Sequence, residues 1–168
     1  VRSLAEVRSA AERASTGVSQ LLELARLEAR EVEPKLAPLR LDLLGEEVAA
    51  ANSAEGVNVE APAGSAVFVD ADAAMLRQAL DNVVRNAVHR ATNVRIETIA
   101  EGRLAVVRIT DDGPGFPEGD LPAVGRGVGL RNTKERLAVL YAQDAALQSR
   151  NLRPGCVIEL TLPAETQA

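Results

Sequence analysis

Three short motifs follow one another in this chain, and their order limits the fold more than any other feature. Asn82-x-x-x-Asn86-Ala87 comes first, Asp111-x-Gly113-x-Gly115 second and Gly127-x-Gly129-Leu130 third. Each sits in a different local setting. Asp72 can cap a helix running to about Ala91, with an apolar face of Leu76, Ala79, Leu80, Val83, Val84 and Ala87. The first motif lies on that helix. Val94–Ala100 and Leu104–Thr110 read as strands joined at Glu101-Gly102, and the second motif opens the Gly-, Pro- and Asp-rich loop over 111–127. The third leads into a helix over Leu130–Tyr141. A chain that must bring these three together mixes helices and strands in one α/β layer structure.

The rest of the pattern agrees. Residues 41–51 read as a helix ending near Asn52. Val57–Glu60 and Ala66–Val69 are short strands, and Ala146–Ser149 with Cys156–Leu162 forms a hairpin around Arg153-Pro154-Gly155. The tail over 164–168 is expected to fray. Hydrophobic residues make up 46% of the chain but aromatic ones only 2%, so the core must be Leu, Val, Ile and Ala. The net charge of −5 argues against binding to nucleic acid, and no apolar run approaches a membrane span of roughly 20 residues, so no membrane contact is expected of this piece. Cys156 is the one cysteine and reads as a small buried hydrophobe. That fits a reducing, cytoplasmic setting.

Upstream, residues 2–31 read as one long helix. Leu4, Val7, Ala11, Ala14, Val18, Leu21 and Ala25 alternate by three and four, a heptad seam, while Glu6, Arg8, Glu12 and Arg13 fill other faces. A lone helix leaves such a stripe uncovered, so a partner helix is expected, with a homodimer as its simplest form. Pro34 and Pro38 mark a linker over 32–40, and the main domain is expected over 41–163. The first residue is Val, consistent with a piece of a longer protein.

The motifs carry chemistry of three kinds. Asn82 and Asn86 are four apart and share a helix face, where amide oxygens suit a hydrated magnesium ion; structural amides capping nearby loops are the plainer alternative. Asp111 at a strand end can accept a hydrogen bond from a base amino group, and the glycines let the backbone pass close. By itself this could also be a plain acidic turn. Gly127 and Gly129 free backbone N–H groups at a helix start, where an anion is favoured, and Arg126, Arg131 and Lys134 add positive charge. The spacing fits neither the dinucleotide fingerprint nor a Walker A loop.

The ordered set resembles the ATP-binding domain of the GHKL superfamily, and within it the sensor histidine kinases. Leu76-x-x-x-Leu80-x-Asn82-x-x-x-Asn86-Ala87 resembles their N box, Asp111–Gly115 their G1 box and Gly127–Leu130 their G2 box. Gly129-Leu130-x-Asn132-x-x-x-Arg136-Leu137 is similar to the group with short lids, and residues 20–28 to the end of the second helix of the dimerisation and phosphotransfer hairpin. The resemblance implies a Bergerat-type α/β sandwich, a mixed sheet covered on one face by three helices, preceded by a coiled-coil-like helix. It implies ATP and Mg2+ as ligands. Asn86 would ligate the metal, Asn82 would support the site, and Asp111 with Gly113 and Gly115 would hold the base. Arg126, Gly127, Gly129 and Leu130 would surround the phosphates, beneath a lid over 117–126.

Hydrolytic GHKL members carry Glu where this chain has Asn82, and an amide cannot take a proton from water at neutral pH. Asp81 is adjacent in sequence but turned about 100° away on a helix. This favours phosphoryl transfer. The only histidine, His89, lies inside the N-box helix next to Arg90, not in an H box. One of this pair is a candidate phosphate contact; His89 is not expected as phosphoacceptor. The expected activity is therefore that of a histidine kinase catalytic fragment acting on a histidine supplied by another helix, with a response regulator downstream. A degenerate nucleotide-binding scaffold and an anti-sigma serine kinase are the alternatives.

Overall fold

The computed structural model describes residues 33–53, 56–116 and 128–165. The chain divides into two compact units, Val1–Glu33 and Pro34–Ala168, and the description below concerns the second. The expected helix over 2–31 with its dimer seam, the lid over 117–126, Arg126 and Gly127 lie outside the described residues.

A two-stranded ribbon opens the domain. β1 (Ala37–Arg40) pairs antiparallel with β3 (Phe68–Ala71), setting Pro38 opposite Asp70. The linker expected over 32–40 thus gives way to a strand at Ala37. Its proline is tolerated because β1 is an edge strand with one partner. Between them, α1 (Leu41–Asn52) buries Leu41, Leu44, Val48 and Ala49, the three-and-four spacing of an apolar helix face. No side chain of Arg40 caps α1. Instead Asp42 in the first turn accepts from Arg40 Nε at 2.8 Å and from the Val67 backbone N–H at 3.3 Å. Arg40 also lies over the Phe68 ring at 5.6 Å, so one carboxylate and one guanidinium knit ribbon and helix together.

The main sheet has five strands in the order β2-β4-β5-β7-β6: β2 (Asn58–Glu60), β4 (Asn93–Glu101), β5 (Leu104–Asp111), β6 (Ala146–Asn151) and β7 (Cys156–Pro163). β2 runs parallel to β4, and the other neighbours are antiparallel. α2 (Ala73–Val88) begins as its sequence promises, with Asp72 accepting from the Met75 N–H at 3.1 Å. All six residues of its expected apolar face are buried. α3 (Val128–Tyr141) packs beside α2. The core joins the helices to Val94, Ile96, Val107, Ile109, Ile158, Leu160 and Leu162 of the sheet.

The opposite face of the sheet alternates to charge. Arg95 pairs with Glu60 and reaches Glu97 at 3.2 Å; Arg108 meets Glu159 at 3.0 Å, and Arg150 meets Glu159 at 3.8 Å. The pairs are exposed or half-buried, and each contributes little stability alone. Together they keep this face in water, as a sheet covered by helices on one side requires. The chain end is tied down further than expected: the Ala164 N–H donates to Arg103 O and the Glu165 N–H to Phe68 O, each at 2.9 Å.

Candidate functional site

α2 links the three motifs: its Asn86 meets Gly129 at the start of α3, and Arg90 at its exit meets Gly113 just after β5. Asn86 is exposed on α2, and Asn82, one turn earlier, is only 6% exposed. Two identical residue types four positions apart therefore have different surroundings. Gly129 lies against Asn86 so closely that a Cβ on it would stand 2.7 Å from Asn86 Nδ2. The first and third motifs thus touch, and the glycine is there for space. Leu130 is buried in the core, where its side chain anchors the first turn of α3.

Asp111 closes β5 with its carboxylate nearly buried. Oδ1 accepts the Gly113 N–H at 2.9 Å, and Oδ2 accepts the Cys156 thiol at 2.9 Å. A carboxylate has about four acceptor positions, so two bonds leave room for a further donor. Gly113 crosses the end of α2: a Cβ there would lie 3.0 Å from the Arg90 carbonyl oxygen. His89 and Arg90 are exposed at this exit from α2, with the His89 N–H bonded to Arg85 O and the Arg90 N–H to Ala87 O. The pair therefore sits beside the second motif. Gly115 adopts φ +75°, a left-handed turn that suits glycine.

Several residues that the sequence reading did not assign to the site build this corner. Asn151, at the end of β6, accepts the Phe116 N–H at 2.7 Å and donates to Phe116 O at 2.8 Å, clasping the chain just after Gly115. Gly155, at φ +95°, lets the β6–β7 turn approach so closely that a Cβ would fall 1.8 Å from Asp111 O. Cys156 is buried, as expected of a small hydrophobe, but it is also a hydrogen-bond donor. Burial, the Asp111 hydrogen bond and that residue's charge push its thiol up to about 12, so it stays protonated at neutral pH. Asp112 turns the other way. It accepts from Thr92 N and Oγ1 at 2.8 and 2.7 Å and from Asn93 N and Nδ2 at 2.9 and 2.6 Å. Those bonds, led by Asn93, hold its carboxyl far below the usual carboxylate range. Asp112 is thus a clamp between β5 and the start of β4.

Asp81, the carboxylate nearest Asn82 in sequence, is engaged elsewhere: Asn52 Nδ2 donates to its Oδ1 at 2.8 Å. Arg131 is exposed and lies 3.8 Å from Glu135 on its own helix. A cavity of about 440 Å³ is lined by Asn58, Glu60, Asn93, Arg95 and Thr110. Asp111 and Asp112 of the second motif also line it, whereas Asn86 and Gly129 do not, so it borders the second motif but not the contact of the first with the third. Among the described residues no helix is long and apolar enough to cross a membrane.

Known proteins are similar to this chain in sequence and in fold. Residues 71–166 match the family of histidine kinase-, DNA gyrase B-, and HSP90-like ATPases. The chain is 32% identical over 162 residues to the sensor protein CseC of Streptomyces avermitilis, covering 88% of this chain and 31% of that protein. It is 33% identical over 154 residues to CseC of Streptomyces coelicolor, covering 83% and 28%. It thus spans about a third of the length of these relatives. Among solved structures, the ATP-binding domain of PrrB from Mycobacterium tuberculosis is 26% identical with a TM-score of 0.69, covering 78% of this chain and 98% of that one. The histidine kinase AdeS of Acinetobacter baumannii shares the fold at 18% identity and a TM-score of 0.77, covering 99% and 87%. The chain belongs to the histidine kinase-, DNA gyrase B-, and HSP90-like ATPases, and its main unit is an ATP-binding catalytic domain of the sensor histidine kinase kind.

Proposed function

We propose that this chain binds Mg2+-ATP between α2 and α3 and transfers its γ-phosphoryl group to a histidine on another helix. The reading is carried by the contact of Gly129 with Asn86, together with an Asp111 held by two hydrogen bonds. Asp111 accepts from the adenine amino group, with Gly113 and Gly115 shaping the turn around the base. Asn86 offers an amide oxygen to the metal, and the start of α3 directs backbone N–H groups at the phosphates. Among the described residues no three His, Cys, Asp or Glu side chains converge on a metal position, which suits an ion held by one amide, water and phosphate oxygens. Bound magnesium supplies charge neutralisation for the phosphates.

The transfer itself needs positioning more than covalent chemistry. A histidine nitrogen attacks the γ-phosphorus, the bond to the bridging β-γ oxygen breaks, and ADP leaves. Water is a poor rival because the position where hydrolytic relatives carry Glu offers no base here. Asn82 is an amide, and the Asp81 carboxylate is bonded to Asn52. His89 and Arg90 are exposed at the exit of α2, and one of the pair contacts a phosphate from the side of the second motif. Arg126 and Gly127 belong to the same phosphate-facing segment in sequence. In the whole protein the acceptor histidine lies on a hairpin helix, dimerisation runs through the N-terminal helix, and a cytoplasmic response regulator receives the phosphoryl group.

Calorimetry with Mg2+-ADP and incubation of labelled ATP with a histidine-bearing hairpin test the reading. Binding that Asp111→Asn weakens at least about tenfold, together with labelled phosphohistidine, is the expected result. Binding without transfer to a matched hairpin would leave a nucleotide site but remove the kinase.

A further inference from the structure

One buried polar side chain on α3 is not accounted for by the fold. Asn132 is 0% exposed, and neither its Nδ2 nor its Oδ1 has a hydrogen-bond partner. A buried amide with both ends unmatched is costly, and a side chain of similar size without polar atoms would fill the same space without that penalty. Such a group calls for a ligand that supplies an acceptor and a donor together.

The position of Asn132 indicates which ligand. Positions 129, 132 and 133 share one face of α3. Two of the three are fixed against α2: Gly129 abuts Asn86, and Thr133 Oγ1 lies 3.3 Å from Ala79 O and 3.0 Å from Gly129 O. Along the helix axis Asn132 lies between these two contacts, turned about 60° from Gly129 around α3. Helical side chains lean toward the N-terminus of their helix, so Asn132 leans back toward Gly129 and the Asn86 contact, where the third motif begins.

We propose that Asn132 is a further ligand-binding residue of the nucleotide site, acting at its metal-polyphosphate end. Its Nδ2 donates to a phosphate oxygen and its Oδ1 accepts from a metal-bound water. The inference rests on the nucleotide reading above and adds a residue to it. Asn132 and Asn86 then bracket the same charged end of the ligand from facing helices, while Asp111 holds the base.

Asn132→Leu in the 168-residue chain separates ligand from scaffold. The expected result has three parts: thermal stability without nucleotide equal to or above the parent, affinity for Mg2+-AMPPNP lowered about tenfold, and affinity for adenosine unchanged. Unchanged Mg2+-AMPPNP affinity would assign the amide to a buried water and overturn the proposal. An equal loss for both ligands with lower stability would assign it to packing and overturn it too. If the variant does not fold, the parent chain still decides. The Asn132 side-chain amide resonances should shift with Mg2+-AMPPNP and not with adenosine, and no shift overturns the proposal. A parent chain that binds no Mg2+-AMPPNP would remove the nucleotide reading itself, a different failure from a parent that binds and an Asn132→Leu chain that binds equally well.

Discussion

Cys156 donates its thiol hydrogen to Asp111 across 2.9 Å, from the strand directly alongside. The other carboxylate oxygen of Asp111 is held by the Gly113 N–H of its own turn. The side chain proposed to read the base is therefore fixed from two directions before any ligand arrives. Cys156→Val keeps nearly the same volume and removes the donor. Loss of one such bond is expected to weaken ADP binding by about 1 kcal/mol, roughly fivefold. Cys156→Ser, which keeps a donor, should bind within about twofold of the parent. Titration calorimetry on both variants checks this; equal binding by parent and Cys156→Val would show that Asp111 needs no such support.

The same thiol predicts how stability responds to alkali. Its folded value of about 12 lies above the roughly 8.5 of a free cysteine. A raised value means the folded state holds its proton longer than the unfolded chain. The associated stability is complete below about pH 8.5 and is lost as pH rises toward 12. Tyr141, also pushed up to about 12 by burial and then by the Asp70 charge, adds a second loss that begins near its free value of about 10. Urea midpoints measured from pH 8 to 11 should fall throughout. In Cys156→Ser the decline should start only above about pH 9.5, and a parent chain with a flat profile would contradict the assignment.

Gly155 is a site where a single methyl group should be severe. It would stand 1.8 Å from Asp111 O, on a backbone already at φ +95°. Left-handed strain alone costs about 1–2 kcal/mol, and the overlap forces the β6–β7 turn off the end of β5. Gly155→Ala is expected to lose at least about 3 kcal/mol in chemical denaturation. Gly64→Ala is the control. Its nearest neighbour, Thr98 O, would be 3.7 Å away, an ordinary contact, so its cost should stay under about 1 kcal/mol.

The elements legible from sequence were those set by local rules. The Asp72 cap, the six-residue apolar face of α2 and the turn at Glu101-Gly102 depend on neighbours within a few positions, and the structure has all three. The residues that escaped depend on register. Asn151 and Cys156 meet the second motif only because β5 pairs with β7 so that Asp111 stands opposite Cys156, and β7 with β6 so that Asn151 does too. No periodicity within either strand sets that alignment. For the same reason Cys156 reads as a hydrophobe until the carboxylate beside it is known. Ala37–Arg40 was hidden because its two-residue signals are those of a proline linker, while its pairing partner lies more than 25 residues on.

The contact between Gly129 and Asn86 supplies the sharpest separation of binding from stability. A methyl on Gly129 would press on the Asn86 amide at 2.7 Å, the far end of a flexible side chain. The amide can move aside, so the fold should tolerate Gly129→Ala, and replacing a helical glycine even favours the helix by up to about 1 kcal/mol. The displaced amide, however, no longer stands where the metal is proposed to bind. Gly129→Ala should therefore leave the unfolding midpoint unchanged or raised, and lower ADP affinity about tenfold with magnesium present but not in its absence. Asn86→Ala should show the same magnesium-dependent loss. The double variant should lose no more than either single change, because both remove one interaction. Additive losses would mean that Gly129 and Asn86 act on the nucleotide separately, and the shared metal position would have to be given up.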